Sequence, residues 1–310
     1  MIENNFSSEP SSYRDKLGNI FYVNQKVIRT INKIGKKNFE FILDKKILKE
    51  AISNNFLIGT KIVNKEDLPI FFSKFEYVVE SDLIPYISYP YEWSFEQLKY
   101  AAIFHLDFQI FLFERGAILR DASAYNIQFI GSKPIFIDLL SIKKYEDGDY
   151  WIGYKQFCEN FLNPLLLGSI KGIQHNSWFR GNLEGIQTID LNKLLNFFDK
   201  LSLKTFSHIY LQAKSIIRSI ENTNKTSRKF HSLGKLSKNS YISIIKQLRD
   251  WIANLSFKKE TTIWQNYSKE NTYDQKGDEP QPVEEKKASI EDLLQEILET
   301  EEEDCDSCKI

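Results

Sequence analysis

Residues 114–141 read ERGAILRDASAYNIQFIGSKPIFIDLLS, and this stretch decides which fold the chain is expected to adopt. Asp121 is followed by Asn126 five positions later, and Asp138 comes twelve positions after Asn126. Gly131 and the serine after it divide two apolar runs between these residues and predict the turn of a hairpin. Asp121, Asn126 and Asp138 thus supply two carboxylates and one carboxamide, oxygen donors of the kind that Mg²⁺ prefers.

Asp121, Asn126 and Asp138 have the order and spacing that kinase-type phosphoryl transfer uses. In that chemistry an aspartate orients the attacking hydroxyl, and an asparagine five residues later holds one Mg²⁺. A second aspartate on the next hairpin holds Mg²⁺ against the phosphates. Arg120 precedes Asp121, as in the Arg-Asp pair of kinase catalytic loops. We therefore predict catalytic roles for Asp121 and Arg120, and metal-binding roles for Asn126 and Asp138.

The surroundings of two of these residues strengthen the prediction. Asp138 lies inside the apolar run PIFIDLL, where an unpaired carboxylate is costly unless it meets a cation. Asn126 opens a predicted strand, a position where asparagine is disfavoured. Aspartate and asparagine are also common in turns, so the alternative that Asp138 merely caps or ends a strand stays open.

Predicted strands and one helix precede residue 96, and helical patterns dominate after it. GNIFYVNQKVIRTI predicts two strands around a turn, residues 36–54 predict a helix, and FLIGTKIV and FEYVVE predict two further strands. Ser94 and Gln97 predict a capping box for a helix that ends near Gly116. This order predicts an α+β, protein-kinase-like fold of two lobes. The predicted parts are a flexible N-terminus at 1–17, a small N-lobe at 18–95, a helical C-lobe at 96–273, and a disordered acidic linker and tail at 274–310.

The sequence offers two candidates for the cation that would pair with a nucleotide's phosphates. No Gly-x-Gly and no V-A-I-K motif occurs in the chain, and GNIFYVNQKV is the only positional counterpart of a kinase glycine loop. Arg29 in VIRTI or Lys61 in GTKIV could supply the cation, and either could instead be a strand residue that faces solvent. Glu40 or Glu50 on the predicted helix could pair with one of them.

Four stretches, IPYISYPYEWSFEQLKYAA, LRDASAYNIQF, KPIFIDLLS and WIGYKQFCENFLNPLLL, resemble the N-terminal region of a bacterial family. Its members are described as S-adenosylmethionine-dependent methyltransferases, some of them as nodulation-protein-like. The resemblance runs from about Gly18 to Tyr273. It implies a kinase-like or aminoglycoside-phosphotransferase-like module that precedes a methyltransferase domain, without settling what the module does.

The chain departs from this family pattern after WQNYSKENTYDQ. A methyltransferase domain needs roughly 150 residues and a glycine-rich strand–loop. Only 37 residues (310 − 273) follow the shared region, and they are acidic. Their segment SIEDLLQEILETEEE predicts a short amphipathic helix at most. We therefore expect the methyltransferase half to be absent, and this chain alone not to be a methyltransferase.

The composition predicts the cellular compartment and limits the classes of partner. The net charge is −1, and 14 acidic and 4 basic residues from Asp274 onward leave about +9 on residues 1–273. A basic body fits an anionic ligand or a solvated lysine-rich surface. Three cysteines, no apolar leader and no long apolar run predict a cytoplasmic protein with no membrane partner. No nucleic-acid-binding motif is present, so no nucleic-acid partner is expected.

Other candidate residues give weaker signals. The four histidines lack metal-ligand spacing, and His105 is expected to be a packed or capping residue rather than a base. Cys305 and Cys308 form a lone C-x-x-C pair in the tail, too little for a zinc or redox site. Three aromatic residues before the helix that Ser94 is predicted to cap could stack on an adenine or pack on their own core; they are Tyr89, Tyr91 and Trp93.

Two functional hypotheses follow. The first is a phosphotransferase that uses ATP and Mg²⁺ on a small molecule or glycan, which the complete set of Asp121, Asn126 and Asp138 favours. The second is a non-catalytic module that binds a substrate or a methyltransferase partner, which the missing glycine loop and lysine favour.

Overall fold

A five-stranded antiparallel sheet opens the chain in the computed structural model, which describes residues 6–10, 12, 15–149, 151–214, 216 and 237–258. The strands are β1 Phe6–Ser8, β2 Ile20–Val23, β3 Lys26–Ile31, β4 Thr60–Ile62 and β5 Tyr77–Ser81. Their order across the sheet is β1-β2-β3-β5-β4. The strands predicted from the sequence are present. Strand β1 was not predicted: it lies in the segment expected to be flexible, and it pairs with β2.

The β2–β3 hairpin turns at Asn24 and Gln25, both in the left-handed region with φ of 49° and 65°. Two successive positive φ values match the right-handed twist of the flanking strands, which is why asparagine is favoured there. The turn fixes the register so that Ile20 lies opposite Arg29 and Tyr22 lies opposite Val27. Side chains alternate between the two faces of a strand, so this register decides which residues share a face.

Two helices, α1 Lys33–Asp44 and α2 Ile47–Ser53, connect β3 to β4. The sequence predicted a single helix over this region. The chain breaks at Lys46, whose φ of 57° is incompatible with a continuous right-handed helix. Apolar residues of both helices are buried, among them Phe39 and Ile47.

The two faces of the sheet are covered differently. Phe21, Ile28 and Val78 point to the outer face, where they form an apolar cluster with residues of the β4–β5 connection such as Phe72. Ile31 and the neighbouring strand β5 contribute to the opposite, inner face, which joins the large core that continues into the helices after residue 93. One core thus runs from the sheet into the helical part.

Helix α3, Phe95–Phe113, has the predicted capping box: the Ser94 hydroxyl accepts from the Gln97 backbone N–H, and the Gln97 side chain accepts from the Ser94 N–H. The chain leaves the helix through Gly116, at φ 73°. Four short strands follow in two antiparallel pairs, β6 with β9 and β7 with β8. They are β6 Ala117–Leu119, β7 Ile127–Ile130, β8 Lys133–Phe136 and β9 Ile142–Lys144. Gly131, at φ 61°, forms part of the predicted β7–β8 turn.

Helices make up the rest of the described chain. They are α4 Tyr154–Phe157, α5 Asn163–Leu166, α6 Asn176–Gly181, α7 Thr188–Leu194, α8 Leu203–Thr205 and α9 Lys238–Ala253. Wider π-helical turns continue α4, α5 and α8. The molecule is therefore α+β, and the part of the chain that the structure describes holds no helix long and apolar enough to cross a bilayer. The acidic tail from Asp274 lies outside the described residues.

Candidate active site

Asp121 and Asn126 lie in the loop between β6 and β7, and their side chains meet. The Asn126 Nδ2 donates to both carboxylate oxygens of Asp121, at 3.2 and 3.3 Å. The hydroxyl of Ser141, which directly precedes β9, donates to the same carboxylate. Asp121 is therefore held from two sides. Since the amide nitrogen of Asn126 is occupied, its amide oxygen is the atom that could bind a cation.

The loop backbone is held by side chains of the next helix. Ala122 N donates to the Gln156 Oε1 at 2.9 Å, and Ala124 N donates to the Asn160 Oδ1 at 3.1 Å. Asn160 is buried. A loop whose amide groups are bonded by ordered side chains keeps its functional residues in place without a ligand.

Asp138 follows β8 and forms an ion pair with Arg29 of β3, with 2.6 Å between the Asp138 Oδ1 and the Arg29 Nη1. The two side chains are 24% and 10% exposed, so the pair is largely withdrawn from water. The carboxylate inside PIFIDLL thus meets the cation that its apolar surroundings demand. The pair joins residues 109 positions apart and connects the sheet to the β7–β8 hairpin.

The Asp121 carboxylate is affected both by burial and by the charge of Asp138. Burial raises the pKa of Asp121 above its ordinary value, and the negative charge of Asp138 raises it further, against the lowering effect of the Ser141 and Asn126 hydrogen bonds. Ser141 links the two aspartates, since its hydroxyl donates to the Asp121 carboxylate and its backbone N–H donates to the Asp138 carbonyl oxygen at 3.1 Å. Asp121, Asn126, Asp138, Ser141 and Arg29 therefore form one cluster. A carboxylate with a raised pKa is a stronger proton acceptor, as a general base requires.

Arg120 lies at the start of the same loop. Its backbone N–H donates to the Ser141 carbonyl at 2.7 Å, which ties the loop to the segment after Asp138. Its side-chain Nε is buried and has no hydrogen-bond partner among the described residues. The structure thus places the Arg120 backbone within the cluster and shows no hydrogen bond from its Nε to Asp121.

Lys61 lies apart from the cluster. In the sheet register Arg29 pairs with Val79, whereas Lys61 pairs with Glu80, the next residue of β5, so the two cations point to opposite faces. Lys61 is 69% exposed and forms an ion pair with Glu80 at 3.1 Å. Of the two cations predicted to contact a nucleotide, only Arg29 reaches Asp138.

The predicted glutamate partners of these cations pair elsewhere. Glu40 accepts a hydrogen bond from the Tyr77 hydroxyl at 2.9 Å, and Glu50 binds Arg115 at 2.7 Å. Arg29 is instead paired with the aspartate itself, an arrangement that the sequence did not suggest.

The donor set fits a magnesium ion that is shared with a phosphate-bearing ligand. Mg²⁺ is commonly bound by one or two carboxylates, with waters and substrate phosphates completing its shell. Asp138 and the Asn126 amide oxygen offer such donors, and Arg29 offers a planar cation for phosphate oxygens. Among the described residues no group of three or more histidine, cysteine, aspartate or glutamate side chains could hold a metal without such a ligand.

One of two comparisons with known proteins finds a relative that aligns with most of this chain. No protein-family model matches. The chain is 39% identical over 268 residues to nodulation protein NoeA of Rhizobium meliloti (strain 1021). The chain is similar to a nodulation protein. The aligned region is 84% of this chain and 55% of the relative, so the chain spans about half of the relative's length. A nodulation-protein-like family fits this match, and the relative's name specifies no reaction.

Of the remaining candidate residues, some are buried in the core and others lie near the surface. His105 is fully buried, and burial lowers its pKa to about 3, so it is neutral and packed as expected. Trp93 is also buried and donates from its indole nitrogen to the Ser88 hydroxyl at 3.0 Å. Tyr89 and Tyr91 stack on each other near the surface instead. The Cys305–Cys308 pair lies outside the described residues.

Sequence reasoning missed Ser141, Gln156 and Asn160. Ser141 is the last residue of the KPIFIDLLS run, so its position three residues after Asp138 was a usable signal. Gln156 and Asn160 are four residues apart on helical turns, and only their contacts with the loop mark them as functional supports.

Proposed function

We propose that the protein is a kinase-like phosphotransferase module that uses ATP and Mg²⁺ to phosphorylate a hydroxyl group of a small molecule or glycan. The observation that carries the proposal is the convergence of Arg29, Asp121, Asn126 and Asp138 from three separate parts of the chain. Kinase-type phosphoryl transfer requires little beyond such positioned charges.

Each residue then has one role. Asp121 orients the acceptor hydroxyl and accepts its proton, Asn126 and Asp138 hold the metal, and Arg29 binds phosphate oxygens. When bound, Mg²⁺ would neutralise charge that develops on the transferred phosphoryl group. Ser141 positions the Asp121 carboxylate and, with Asn126, limits its rotation.

The order of the strands supports the same proposal. In protein kinases the phosphate-binding lysine lies on the third strand and a helix follows it. Here Arg29 lies on β3, and α1 and α2 follow. Ile20 and Val27 flank Arg29 on the inner face and are only partly buried, so some apolar surface stays accessible beside the cation.

The counterpart of the glycine loop has a structural role. A Cβ atom on Gly18 would lie 1.8 Å from the Thr30 carbonyl oxygen and 2.9 Å from a methyl group of Leu140. Gly18 therefore allows the segment before β2 to pack against β3 and against the residues after Asp138. Phosphate binding in our proposal depends on Arg29 rather than on a glycine-rich backbone.

One observation favours the second function, a non-catalytic module that binds a substrate or a methyltransferase partner. The Arg29–Asp138 ion pair satisfies both charges without any ligand, and a nucleotide would have to compete with it. A phosphate group can replace the carboxylate on Arg29 only if Asp138 gains a cation in exchange. Magnesium and nucleotide binding therefore have to be coupled if the first function is correct.

Thermal unfolding with Mg²⁺ and ATP tests the proposal. Ligand binding to the folded state should raise the melting temperature when both are present, and far less when either is omitted. Asp138→Asn should abolish the rise, whereas Asp190→Asn on α7, whose side chain is 43% exposed, is the matched control and should keep it. A rise that survives Asp138→Asn would mean that the metal is held elsewhere.

The rate of ADP release distinguishes a phosphotransferase from a non-catalytic binding module. Asp121→Asn should keep the Mg²⁺–ATP shift and lower the rate of ADP release by about 10²- to 10⁴-fold, the usual contribution of a general base. ADP release is measured with a coupled assay in the presence of candidate hydroxyl acceptors. Nucleotide binding with equal, background ADP release by the wild type and Asp121→Asn would favour the binding module.

A further inference from the structure

The linker between β5 and α3 presents aromatic side chains beside the Asp121–Asn126 loop. Tyr89 and Tyr91 are stacked, with ring centroids 5.3 Å apart and planes 14° apart. Tyr125, the residue before Asn126, lies with its ring centroid 6.4 Å from that of Tyr89. We call Tyr89, Tyr91 and Tyr125 the tyrosine platform. It adjoins the loop that carries the proposed base and one metal ligand.

The backbone under the platform is held by polar side chains. Gln128, which is buried, accepts from Ser88 N at 2.9 Å and donates to Ser88 O at 3.0 Å. Asn176 donates to the carbonyl oxygens of Tyr91 and Trp93, at 2.9 and 3.0 Å. These bonds order the linker although Tyr89 remains 40% exposed. An ordered, exposed aromatic surface is typical of a binding surface rather than of a core.

Polar groups surround the rings. The Tyr125 hydroxyl is buried and has no hydrogen-bond partner among the described residues, although such groups are nearly always paired. The guanidinium carbon of Arg180 lies 5.8 Å from the centre of the Tyr91 ring. The platform therefore combines apolar ring faces with a cationic donor and an unsatisfied hydroxyl.

We propose that the tyrosine platform is the acceptor subsite and that it binds a carbohydrate ring. A pyranose has an apolar C–H face that packs on an aromatic ring, and hydroxyl groups around its edge that can pair with Arg180 and the Tyr125 hydroxyl. In our proposal the platform takes the acceptor, and the nucleotide lies beside Arg29 on the inner face of β2 and β3.

The catalytic part of this inference rests on the proposed function. A hydroxyl oxygen of the bound sugar would form the new bond to the γ-phosphorus of ATP as the bond from that phosphorus to the ADP oxygen breaks. The hydroxyl proton passes to Asp121. The products are a sugar phosphate and ADP, so atoms and charges balance without a further reactant.

Titration with neutral oligosaccharides tests the binding part alone. We would use cellotetraose and the tetramer of N-acetylglucosamine at millimolar concentrations, without Mg²⁺ or nucleotide, and detect binding by saturation-transfer NMR and calorimetry. Tyr89→Ala should weaken binding by about tenfold, because one stacking face is lost. Tyr100→Ala, on an exposed tyrosine of α3, is the matched control and should leave the affinity unchanged.

Tyr125→Phe provides a variant that keeps the ring and the packing. It should weaken sugar binding several-fold while leaving the melting temperature near that of the wild type, since only an unpaired hydroxyl is removed. Affinity unaltered in both Tyr89→Ala and Tyr125→Phe, no binding of either sugar by the folded protein, or competition by adenosine that depends on Tyr89 would each overturn the carbohydrate assignment.

The sugar and nucleotide experiments fail independently. Sugar binding that depends on Tyr89, with no Mg²⁺–ATP shift, supports the platform and overturns phosphoryl transfer. A nucleotide shift that depends on Asp138, with no sugar binding, overturns the platform and leaves the proposed function standing.

Discussion

The two faces of the five-stranded sheet are built from neighbouring residues and serve different purposes. On the outer face Phe21 and Ile28 pack beneath Phe72, which touches other phenylalanine rings at centroid distances from 5.3 Å. On the inner face Tyr22 is 40% exposed, and Arg29 binds an aspartate from another part of the chain. A face filled by aromatic rings stabilises the sheet, and a face that buries a charge beside partly open apolar positions is suited to a ligand.

The two cations on the sheet repeat this contrast. Arg29 and Lys61 are both strand residues, and each pairs with a carboxylate. The Arg29 side chain is 10% exposed and the Lys61 side chain 69% exposed, so only Arg29 interacts with little screening by water. Both residues are cations on strands, so their positions in the sheet make Lys61–Glu80 a surface ion pair and Arg29–Asp138 a candidate functional ion pair.

The largest effect is expected on the outer face. Phe72→Ala should lower the free energy of unfolding by about 3–5 kcal/mol, because a fully buried ring is removed and a cavity remains. Ile70→Ala, two residues away and 85% exposed, should change it by less than about 0.5 kcal/mol. Urea unfolding of the two variants measures the difference, and similar losses would show that the phenylalanine cluster is not a core.

The Arg29–Asp138 pair should give an intermediate effect. Arg29→Met leaves a partly buried carboxylate without its partner and should cost about 1–3 kcal/mol. Lys61→Met should cost no more than about 0.5 kcal/mol. Double-mutant cycles with Asp138→Asn and Glu80→Gln give the two coupling energies. Equal coupling energies would contradict the contrast between the faces.

The smallest effect should appear in the pH dependence of stability. The pKa of Asp121 is raised, chiefly by burial, so the folded state holds this proton more tightly than the unfolded state does. Its contribution is therefore complete below the ordinary value of 3.8 and is lost as the pH rises through the raised pKa. Asp121→Asn lacks this loss and should gain stability relative to the wild type from acid to neutral pH. Parallel unfolding curves at all pH values would contradict the raised pKa.

Local sequence patterns predicted most of the elements. The alternating and β-branched residues of GNIFYVNQKVIRTI predicted the β2–β3 hairpin, and Ser94 with Gln97 predicted the start of α3. These features depend on neighbouring residues only, so composition and spacing are sufficient. The prediction of one helix at 36–54 missed the break at Lys46, because the residues on both sides of Lys46 favour a helix and only the packed chain requires the break.

For the candidate site, the sequence by itself determined the order and spacing of Asp121, Asn126 and Asp138, since these lie on one loop and the hairpin after it. It did not determine which cation faces them. Arg29 lies 109 residues from Asp138, and its face is set by the register of β3 against β2 and β5. A shift of one residue in that register would exchange the faces. Only the tertiary structure therefore decided that Arg29 reaches Asp138 and that Lys61 points away.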